Sequence, residues 1–127
     1  MKIILTICSR RKKENPELLT ALERYTGSHI APVKDIADHL KLPLYFLSGK
    51  YGLLSKDTEI PHYDYYLEDA MVNELARIVA KQILDNEITD IEFYAESNDS
   101  WAPYKRVMLT AIREADVVLH EHILSSK

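Results

Sequence analysis

The chain has 127 residues, 46% hydrophobic and 28% charged, which fits one globular domain and excludes an intrinsically disordered protein. Its net charge of −4 argues against a general binder of long polyanions. A single cysteine, Cys8, excludes an intramolecular disulfide and favours a reducing compartment. The apolar runs are too short for a membrane span or a signal peptide, so we expect a cytoplasmic protein without a membrane partner.

The first half of the chain predicts two strands and two helices. Residues Met1–Ile7 form a near-continuous apolar run, which is typical of a buried strand. A short helix is expected near residues 16–25, and a second helix opens at Pro32. Leu44–Leu47 predicts the second strand. The segment Gly49–Tyr66 is interpreted as a long loop, and loops of that length are usually functional or mobile.

The second half of the chain predicts two more strands, each preceded by a long helix. Glu68–Leu84 has a helical apolar stripe, and Ile91–Ala95 reads as the third strand. A further helix follows residues 99–100, and Val117–Leu119 starts the last strand. Strands that alternate with helices predict one α/β domain over residues 1–127. We expect a three-layer α/β/α sandwich with a mostly parallel four-stranded sheet.

Ligands of open parallel sheets bind outside the carboxyl ends of the strands. A strongly polar segment directly follows each predicted apolar strand, namely Cys8–Lys13, Ser48–Gly52, Glu96–Asp99 and His120–His122. Because a helical crossover joins the first two strands, we expect Cys8 and Ser48 at the same sheet edge on adjacent parallel strands. In the third segment, Glu96, Ser97 and Asn98 offer hydrogen-bonding groups, or Asn98 only prepares the next helix.

The loop after the first strand combines a thiol, a hydroxyl and four cations. These are Cys8, Ser9, Arg10, Arg11, Lys12 and Lys13. Backbone amides and cations in such a loop could hold a phosphate. The alternative is a solvated basic loop in which Cys8 packs as a small hydrophobe. Because an apolar strand leads straight into Cys8, we expect a buried, slowly reactive thiol.

The segment after the second strand holds two of the three glycines of the chain, Gly49 and Gly52, on either side of Lys50 and Tyr51. A glycine at this position can take a positive φ or let a ligand approach the backbone closely, or it can form an ordinary turn. Tyr51 and Tyr63 could sandwich a nucleobase. The alternative is that these tyrosines cover a neighbouring helix.

Other polar residues allow more than one interpretation. Asp64 acts either as a general base or as a helix cap. Three further candidates are the histidines His62, His120 and His122. Histidines so far apart in the sequence do not define a metal site, so we expect no metal or other cofactor. His29 and His39 are interpreted as surface or boundary residues.

Four motifs in the first half of the chain resemble those of an uncharacterised domain family of bacteria, archaea and phages. The family pattern is C-S-K-K-K, Y-x-G-S, L-S-A-K-Y-G-L-L and P-Y-D. The corresponding segments here are Cys8–Lys12, Tyr25–Ser28, Leu47–Leu54 and Pro61–Asp64. Two departures occur. Gly49 replaces an alanine, and His62 separates the proline from the tyrosine–aspartate pair.

A similar pattern occurs in the middle domain of archaeal archaeosine tRNA-modifying enzymes. That domain resembles the uracil-DNA glycosylase fold, a parallel four-stranded α/β sandwich. The resemblance implies a nucleobase or nucleotide ligand, together with chemistry at an N-glycosidic bond or on a modified base. A fold analogy does not by itself establish an activity.

We therefore expect a nucleotide- or nucleoside-binding domain. If the domain is an enzyme, we expect it to act on an N-glycosidic bond or a modified base. The expected partner is a nucleotide or a single-stranded nucleic acid. Ser9 and Asp64 are the catalytic candidates. The substrate-binding candidates are Cys8, Arg10, Arg11, Lys12, Ser48, Lys50, Tyr51, Gly52 and Tyr63. The alternatives are a non-catalytic binding module and a phage or host protein-interaction domain. The oligomeric state stays open.

Overall fold

The computed structural model describes residues 1–9, 12–14, 16–63, 65, 67–97 and 99–124. Within these ranges the chain forms seven β-strands and four α-helices. In chain order they are β1 (Lys2–Ile7), β2 (Leu19–Thr20), α1 (Ala21–Arg24), α2 (Ile30–Leu40), β3 (Leu44–Ser48), β4 (Gly52–Ser55), β5 (Glu59–Ile60), α3 (Val72–Asp85), β6 (Asp90–Glu96), α4 (Ala102–Ala115) and β7 (Val118–Leu124). None of these helices is long and apolar enough to cross a membrane.

The main sheet has five strands in the order β4-β3-β1-β6-β7. The pairs β3–β1, β1–β6 and β6–β7 are parallel, and β4 pairs antiparallel with β3 at one edge. The α/β class and the mostly parallel sheet are therefore confirmed. The expected number of four strands is wrong, because Gly52–Ser55 turns back onto β3 within the segment interpreted as a loop.

Helices pack on both faces of β1. Ile3 and Leu5 belong to a buried apolar cluster that includes residues of α3 and α4, such as Val79. Ile4 belongs to a second cluster that includes residues of α1 and α2, such as Val33. Because successive side chains of a strand point to opposite faces, the two clusters lie on opposite sides of the sheet.

The helix expected near residues 16–25 is mostly not a helix. Leu19 and Thr20 form β2, which pairs antiparallel with β5 in a small separate sheet. Helix α1 then makes a single turn. A capping box stabilises its start, because the Thr20 side chain accepts from the Glu23 amide and the Glu23 side chain accepts from the Thr20 amide. The long-range pairing with β5 therefore overrides the local helical periodicity before residue 20.

The last strand continues beyond Val117–Leu119, the segment predicted to start it. It pairs with β6 along its whole length, from Asp90 opposite Val118 to Glu96 opposite Leu124. The predicted segment His120–His122 therefore lies inside β7 and not beyond its carboxyl end. The His122 ring stacks on Tyr94 with centroids 4.4 Å apart, and its Nε2 is 2.9 Å from a Glu92 carboxylate oxygen.

Candidate ligand-binding site

The first two polar loops meet as the sequence predicts. Strand β1 pairs with β3 in the register Ile7 opposite Leu47, and the Cys8 amide donates to the Leu47 carbonyl at 3.0 Å. Cys8 and Ser48 therefore leave the sheet at the same edge, on adjacent parallel strands. This expectation is confirmed.

A cavity of about 420 Å³ opens at this edge, beyond the ends of β1 and β6. Its walls come from the end of β1, the turn before α2, the end of β6 and the start of α4. The lining residues are Ile7, Cys8, Ser9, Lys12, Gly27, Ser28, His29, Tyr65, Leu67, Glu96, Ser100, Trp101 and Tyr104. Three predicted site residues, Cys8, Ser9 and Lys12, are among them.

The other predicted site residues are not in these walls. Ser48, Lys50, Tyr51, Gly52 and Tyr63 belong to a neighbouring cluster of hydrogen bonds and ring contacts at the end of β3. Three further predicted residues, Arg10, Arg11 and Asp64, lie outside the described residues. The catalytic role expected for Asp64 and the phosphate-binding role expected for the two arginines therefore stay predictions.

Ser9 joins two of the sequence motifs. Its side chain is 6% exposed, and its Oγ accepts a hydrogen bond from the Thr26 amide at 3.1 Å. At Gly27, an added Cβ would lie only 2.7 Å from the Ser9 Cβ, so the turn can pack this closely only because residue 27 has no side chain. The Ser9 hydroxyl thus positions the turn that precedes α2, whatever its role toward a ligand.

Cys8 is buried in the cavity wall, as predicted. It is 9% exposed, and its Sγ lies 3.8 Å from the Tyr104 hydroxyl. Burial raises the pKa of the Cys8 thiol, while the Gly49 backbone, Tyr104 and the Lys12 charge oppose that change. A raised pKa leaves less thiolate at neutral pH, which disfavours a nucleophilic role.

We expect the Cys8 thiol to label slowly in the folded protein. Only the thiolate attacks a disulfide reagent; the raised pKa lowers the fraction of thiolate, and burial limits its access to the reagent. The measurement is the rate of reaction with a chromogenic aromatic disulfide at pH 7.5, compared with the same protein in urea. Since Cys8 is the only cysteine, the signal has one source. Rapid, stoichiometric labelling of the native protein would contradict the placement.

Tyr63 lies at the centre of the neighbouring cluster. Its hydroxyl is 2.5 Å from the Tyr25 hydroxyl and 3.0 Å from the Ser48 Oγ. The Ser48 Oγ also accepts from the amides of Lys50 and Tyr51, each at 3.1 Å. Burial raises the pKa of Tyr63 above its ordinary value, so the phenol stays neutral and shares its proton within this network. Ser48 and Tyr63 therefore hold the loop after β3.

The expected sandwich of a base between Tyr51 and Tyr63 does not fit this geometry. The two rings contact each other edge-on, with centroids 5.2 Å apart and planes 80° apart. A base inserted between two tyrosines needs parallel faces with a gap between them. Tyr63 is also only 7% exposed. That part of the sequence-based interpretation is wrong, although each residue could still contact a ligand from its outer side.

Two cations from different loops meet at the Tyr63 ring. The Lys12 Nζ lies 4.7 Å from the ring centroid, and the Lys50 Nζ lies 5.7 Å from it. Such ammonium–ring contacts are favourable by about 0.5–1 kcal/mol at exposed sites. Of the two lysines, Lys12 also lines the cavity. The predicted convergence of the loops after β1 and β3 is therefore present, and the phosphate-binding role of both lysines stays a prediction.

Gly52 packs against Gln82 of helix α3. Its φ is +75°, and an added Cβ would overlap the Oε1 of Gln82 on α3. That Oε1 accepts from the Leu53 amide at 2.7 Å, and the Gln82 Nε2 donates to the Tyr51 carbonyl at 3.0 Å. The close approach that the sequence suggested for a ligand is thus made by Gln82, which braces the β3–β4 turn.

Sequence reasoning did not select His29 as a site residue and interpreted it only as a surface or boundary residue. The ring is half-buried in the cavity wall, with its Nε2 at 2.8 Å from the Ile7 carbonyl and its centroid at 5.0 Å from that of Trp101. A carbonyl only accepts, so Nε2 carries the proton. Burial lowers the pKa of His29, against the raising effects of the Ile7 carbonyl and Glu96, which favours the neutral ring. The sequence feature that could have identified His29 as a site residue is its position directly after the Tyr25–Ser28 motif.

Trp101 and Tyr104 were also not predicted as site residues. Trp101 is the only tryptophan of the chain. Trp101 directly precedes α4 and Tyr104 lies in its first turn, shortly after the end of β6 and therefore at the sheet edge where ligands bind. Among the described side chains, no group of three or more His, Cys, Asp or Glu could hold a metal ion.

The chain matches a protein-family model. The model of DUF6884, described as a family of unknown function, matches residues 3–121. No curated protein and no solved structure matches the chain. The expectation of an uncharacterised domain family is therefore confirmed, whereas the similarity to archaeosine enzymes stays an expectation. Because the match covers nearly the whole sequence, this chain belongs to the DUF6884 family.

Proposed function

We propose that this chain is a three-layer α/β/α sandwich that binds a nucleotide or nucleoside in the cavity beyond β1 and β6. The observation that carries the proposal is the composition of the cavity wall, which combines aromatic rings, the Lys12 cation and the Glu96 carboxylate around about 420 Å³. Pockets for small molecules commonly span about 300–1,000 Å³ and place a few polar groups among apolar and aromatic walls.

The aromatic residues supply surfaces for a base. Tyr65 and Tyr104 are half-buried residues of the wall, and Trp101, also a wall residue, contacts the His29 ring edge-on with centroids 5.0 Å apart. Stacking of a base on an aromatic side chain contributes about 1–3 kcal/mol and depends little on the identity of the base. These rings take over the role that sequence analysis gave to Tyr51 and Tyr63.

Lys12 supplies the contact for a phosphate. It is partly buried in the wall, and Lys50 approaches the same Tyr63 ring from the loop after β3. A charge-assisted hydrogen bond to phosphate is worth about 1.5–3 kcal/mol. The net charge of −4 favours a small anion with a local cationic contact over a long duplex, which needs a broad basic face.

We expect Lys12→Ala to weaken the binding of nucleoside monophosphates at least tenfold, since about 1.4 kcal/mol corresponds to a factor of ten. The affinity for the matching nucleosides, which lack the phosphate, should change little. Isothermal titration calorimetry at low salt measures both. Lys13→Ala is the matched control, because Lys13 is the next residue, is exposed and does not line the cavity.

Two results would contradict the proposal. The first is wild-type protein that binds none of the common nucleotides or nucleosides, which would favour the protein-interaction alternative. The second is an equal loss of affinity in Lys12→Ala and Lys13→Ala, which would indicate a diffuse electrostatic effect of the loop instead of a defined phosphate contact.

A more specific proposal is that the protein is an enzyme that acts on an N-glycosidic bond or on a modified base. This proposal rests on the resemblance to archaeosine enzymes. In support, the cavity wall contains His29 and Glu96, two side chains able to exchange protons. Chromatography of each ligand after incubation with the protein distinguishes an enzyme from a binding module. A released or altered base identifies an enzyme, and an unchanged ligand identifies a binding module.

A further inference from the structure

We propose that β7 pairs with β7 of a second copy of this chain, antiparallel and about a two-fold axis at Glu121, so that two five-stranded sheets join into one. This inference does not depend on the proposed nucleotide function. Strand β7 lies at the edge of the sheet, and none of its residues is among those that line the cavity.

Strand β7 is an unprotected edge. Among the described residues it pairs with β6 alone, and five of its seven residues are exposed, including Val118 at 50% and Ile123 at 58%. The strand contains no lysine, proline or glycine, and its register with β6 continues without a bulge. Soluble proteins normally protect an exposed edge with such features, because an unpaired edge recruits another strand. A long edge without them therefore indicates a partner.

The opposite edge of the same sheet is protected. Strand β4 has only four residues, and the Gln82 side chain of α3 accepts from the Leu53 amide at 2.7 Å. In the part of the chain that the structure describes, no side chain makes a hydrogen bond to the backbone of β7. The contrast between the two edges singles out β7 as the strand that is open to pairing.

The backbone groups that face outward from β7 belong to Leu119, Glu121 and Ile123. The Val118 amide donates to the Thr89 carbonyl at 3.2 Å, on the side of β6. Because the N–H and C=O groups of a strand alternate between its two edges, those of the next, fourth and sixth residues point away from β6. An antiparallel partner centred on Glu121 pairs Glu121 with its own counterpart and Leu119 with Ile123. A register shifted by two residues in either direction would pair one of the three with a residue outside β7.

The sequence of β7 is self-complementary in this register. An isologous two-fold interface requires that each contact occur twice, once in each direction. Read from either end, Val118–Leu124 gives two apolar residues, histidine, glutamate, histidine and two apolar residues. On one face of the joined sheet Ile123 would cover Leu119 of the second copy, and on the other face Val118 would cover Leu124. A shift by two residues would instead place Glu121 against an apolar side chain.

Lys105 makes the centre of this interface electrically neutral. Two glutamates directly opposite each other repel. In each copy, however, the Lys105 Nζ lies 3.4 Å from the Glu121 Oε1, so the axis carries two carboxylates and two ammonium groups. The second copy thus brings the cation that its own glutamate needs, which an arbitrary extended peptide would not do. This charge complementarity favours a second copy as the partner.

Analytical ultracentrifugation measures the association. We expect the wild-type protein to form a dimer at micromolar concentrations. Glu121→Lys should raise the dissociation constant at least tenfold, because cations alone would then surround the axis. Glu114→Lys is the matched control, since it makes the same change of charge at an exposed residue of α4 outside β7. It should keep the dissociation constant of wild type. A thermal unfolding curve confirms that each variant is folded.

Two cysteine variants test the register. In Glu121→Cys the thiols would belong to a hydrogen-bonded antiparallel pair with Cα atoms about 5.5 Å apart, which is within the range of a disulfide. In Ile123→Cys they would be four residues out of step and roughly 14 Å apart. Oxidised glutathione should therefore convert Glu121→Cys to a covalent dimer and leave Ile123→Cys monomeric on a non-reducing gel. The buried Cys8 is common to both variants.

Three results would overturn the inference. One is a protein that stays monomeric at every concentration, which would leave the β7 edge to a strand of another protein. Another is a dimer that Glu121→Lys does not weaken, which would place the interface on a different surface. The last is equal crosslinking of Glu121→Cys and Ile123→Cys, which would reject the two-fold axis at Glu121.

Discussion

Gly52→Ala is expected to lower the free energy of unfolding by about 2–4 kcal/mol. Two costs contribute. The φ of +75° is strained for any residue with a Cβ, and the new methyl group would clash with the Gln82 Oε1. If Gln82 moves away, its hydrogen bonds to Leu53 and Tyr51 are lost. The β3–β4 turn would then lose the contact that braces it against α3.

Urea unfolding followed by circular dichroism measures this loss. Gly49→Ala is the control from the same loop, because the nearest atoms to its new Cβ are at 3.2 Å and 3.3 Å and its φ is not in the left-handed region. We expect it to cost about 1 kcal/mol or less. In a Gln82→Ala background, Gly52→Ala should cost less than in wild type, because only the backbone strain remains. Equal effects of Gly49→Ala and Gly52→Ala would contradict this account.

Arg24→Met is expected to cost about 3 kcal/mol of stability. Arg24 is fully buried on α1, and its guanidinium donates to the carbonyls of Lys13, Glu17 and Ile60. Methionine keeps most of the volume but leaves three acceptors without this donor. Desolvation of a guanidinium is itself unfavourable, so removal of this buried charge partly offsets the loss of stability.

The loss of Arg24 should also affect the proposed binding site. Lys13 is the neighbour of Lys12, and its amide donates to the Arg24 carbonyl at 2.9 Å, so α1 holds this loop at two points. We therefore expect Arg24→Met to weaken the proposed nucleotide binding as well as stability. Arg24→Lys should recover little, because one ammonium cannot span three carbonyls.

Arg77→Met is the matched control, because Arg77 is an exposed residue of α3. Its effect on the urea midpoint should stay within about 0.5 kcal/mol. If Arg24→Met were as mild as Arg77→Met, the guanidinium would not be what joins the three segments. If it lowered stability and left nucleotide affinity intact, the link from α1 to Lys12 would be wrong.

The sequence by itself determined the α/β class, the mostly parallel sheet and the shared edge of Cys8 and Ser48. These features follow from local patterns. The run Met1–Ile7 is near-continuously apolar, as is typical of a strand covered on both faces, and a helical segment separates it from Leu44–Leu47. A crossover of that length makes the two strands parallel, so their carboxyl ends share an edge.

Short strands were beyond the reach of local patterns. Strands β2 and β5 have two residues each, and they exist because Leu19 pairs with Ile60 across 41 positions of sequence. Strand β4 depends on the turn at Gly52, which is stable because Gln82 reaches it from α3. No window of neighbouring residues contains these partners.

The place of the cavity was likewise decided only by the tertiary structure. Strand β1 has two neighbours, and sequence order pointed to β3, whereas the cavity opens beyond β1 and β6. Strand order in a sheet is a matter of long-range pairing, so nothing local to Glu96 or Trp101 reveals that they line the same cavity as Lys12 and His29. The polar residues at the strand ends could be found from the sequence, but which of them share a wall depended on which strands pair.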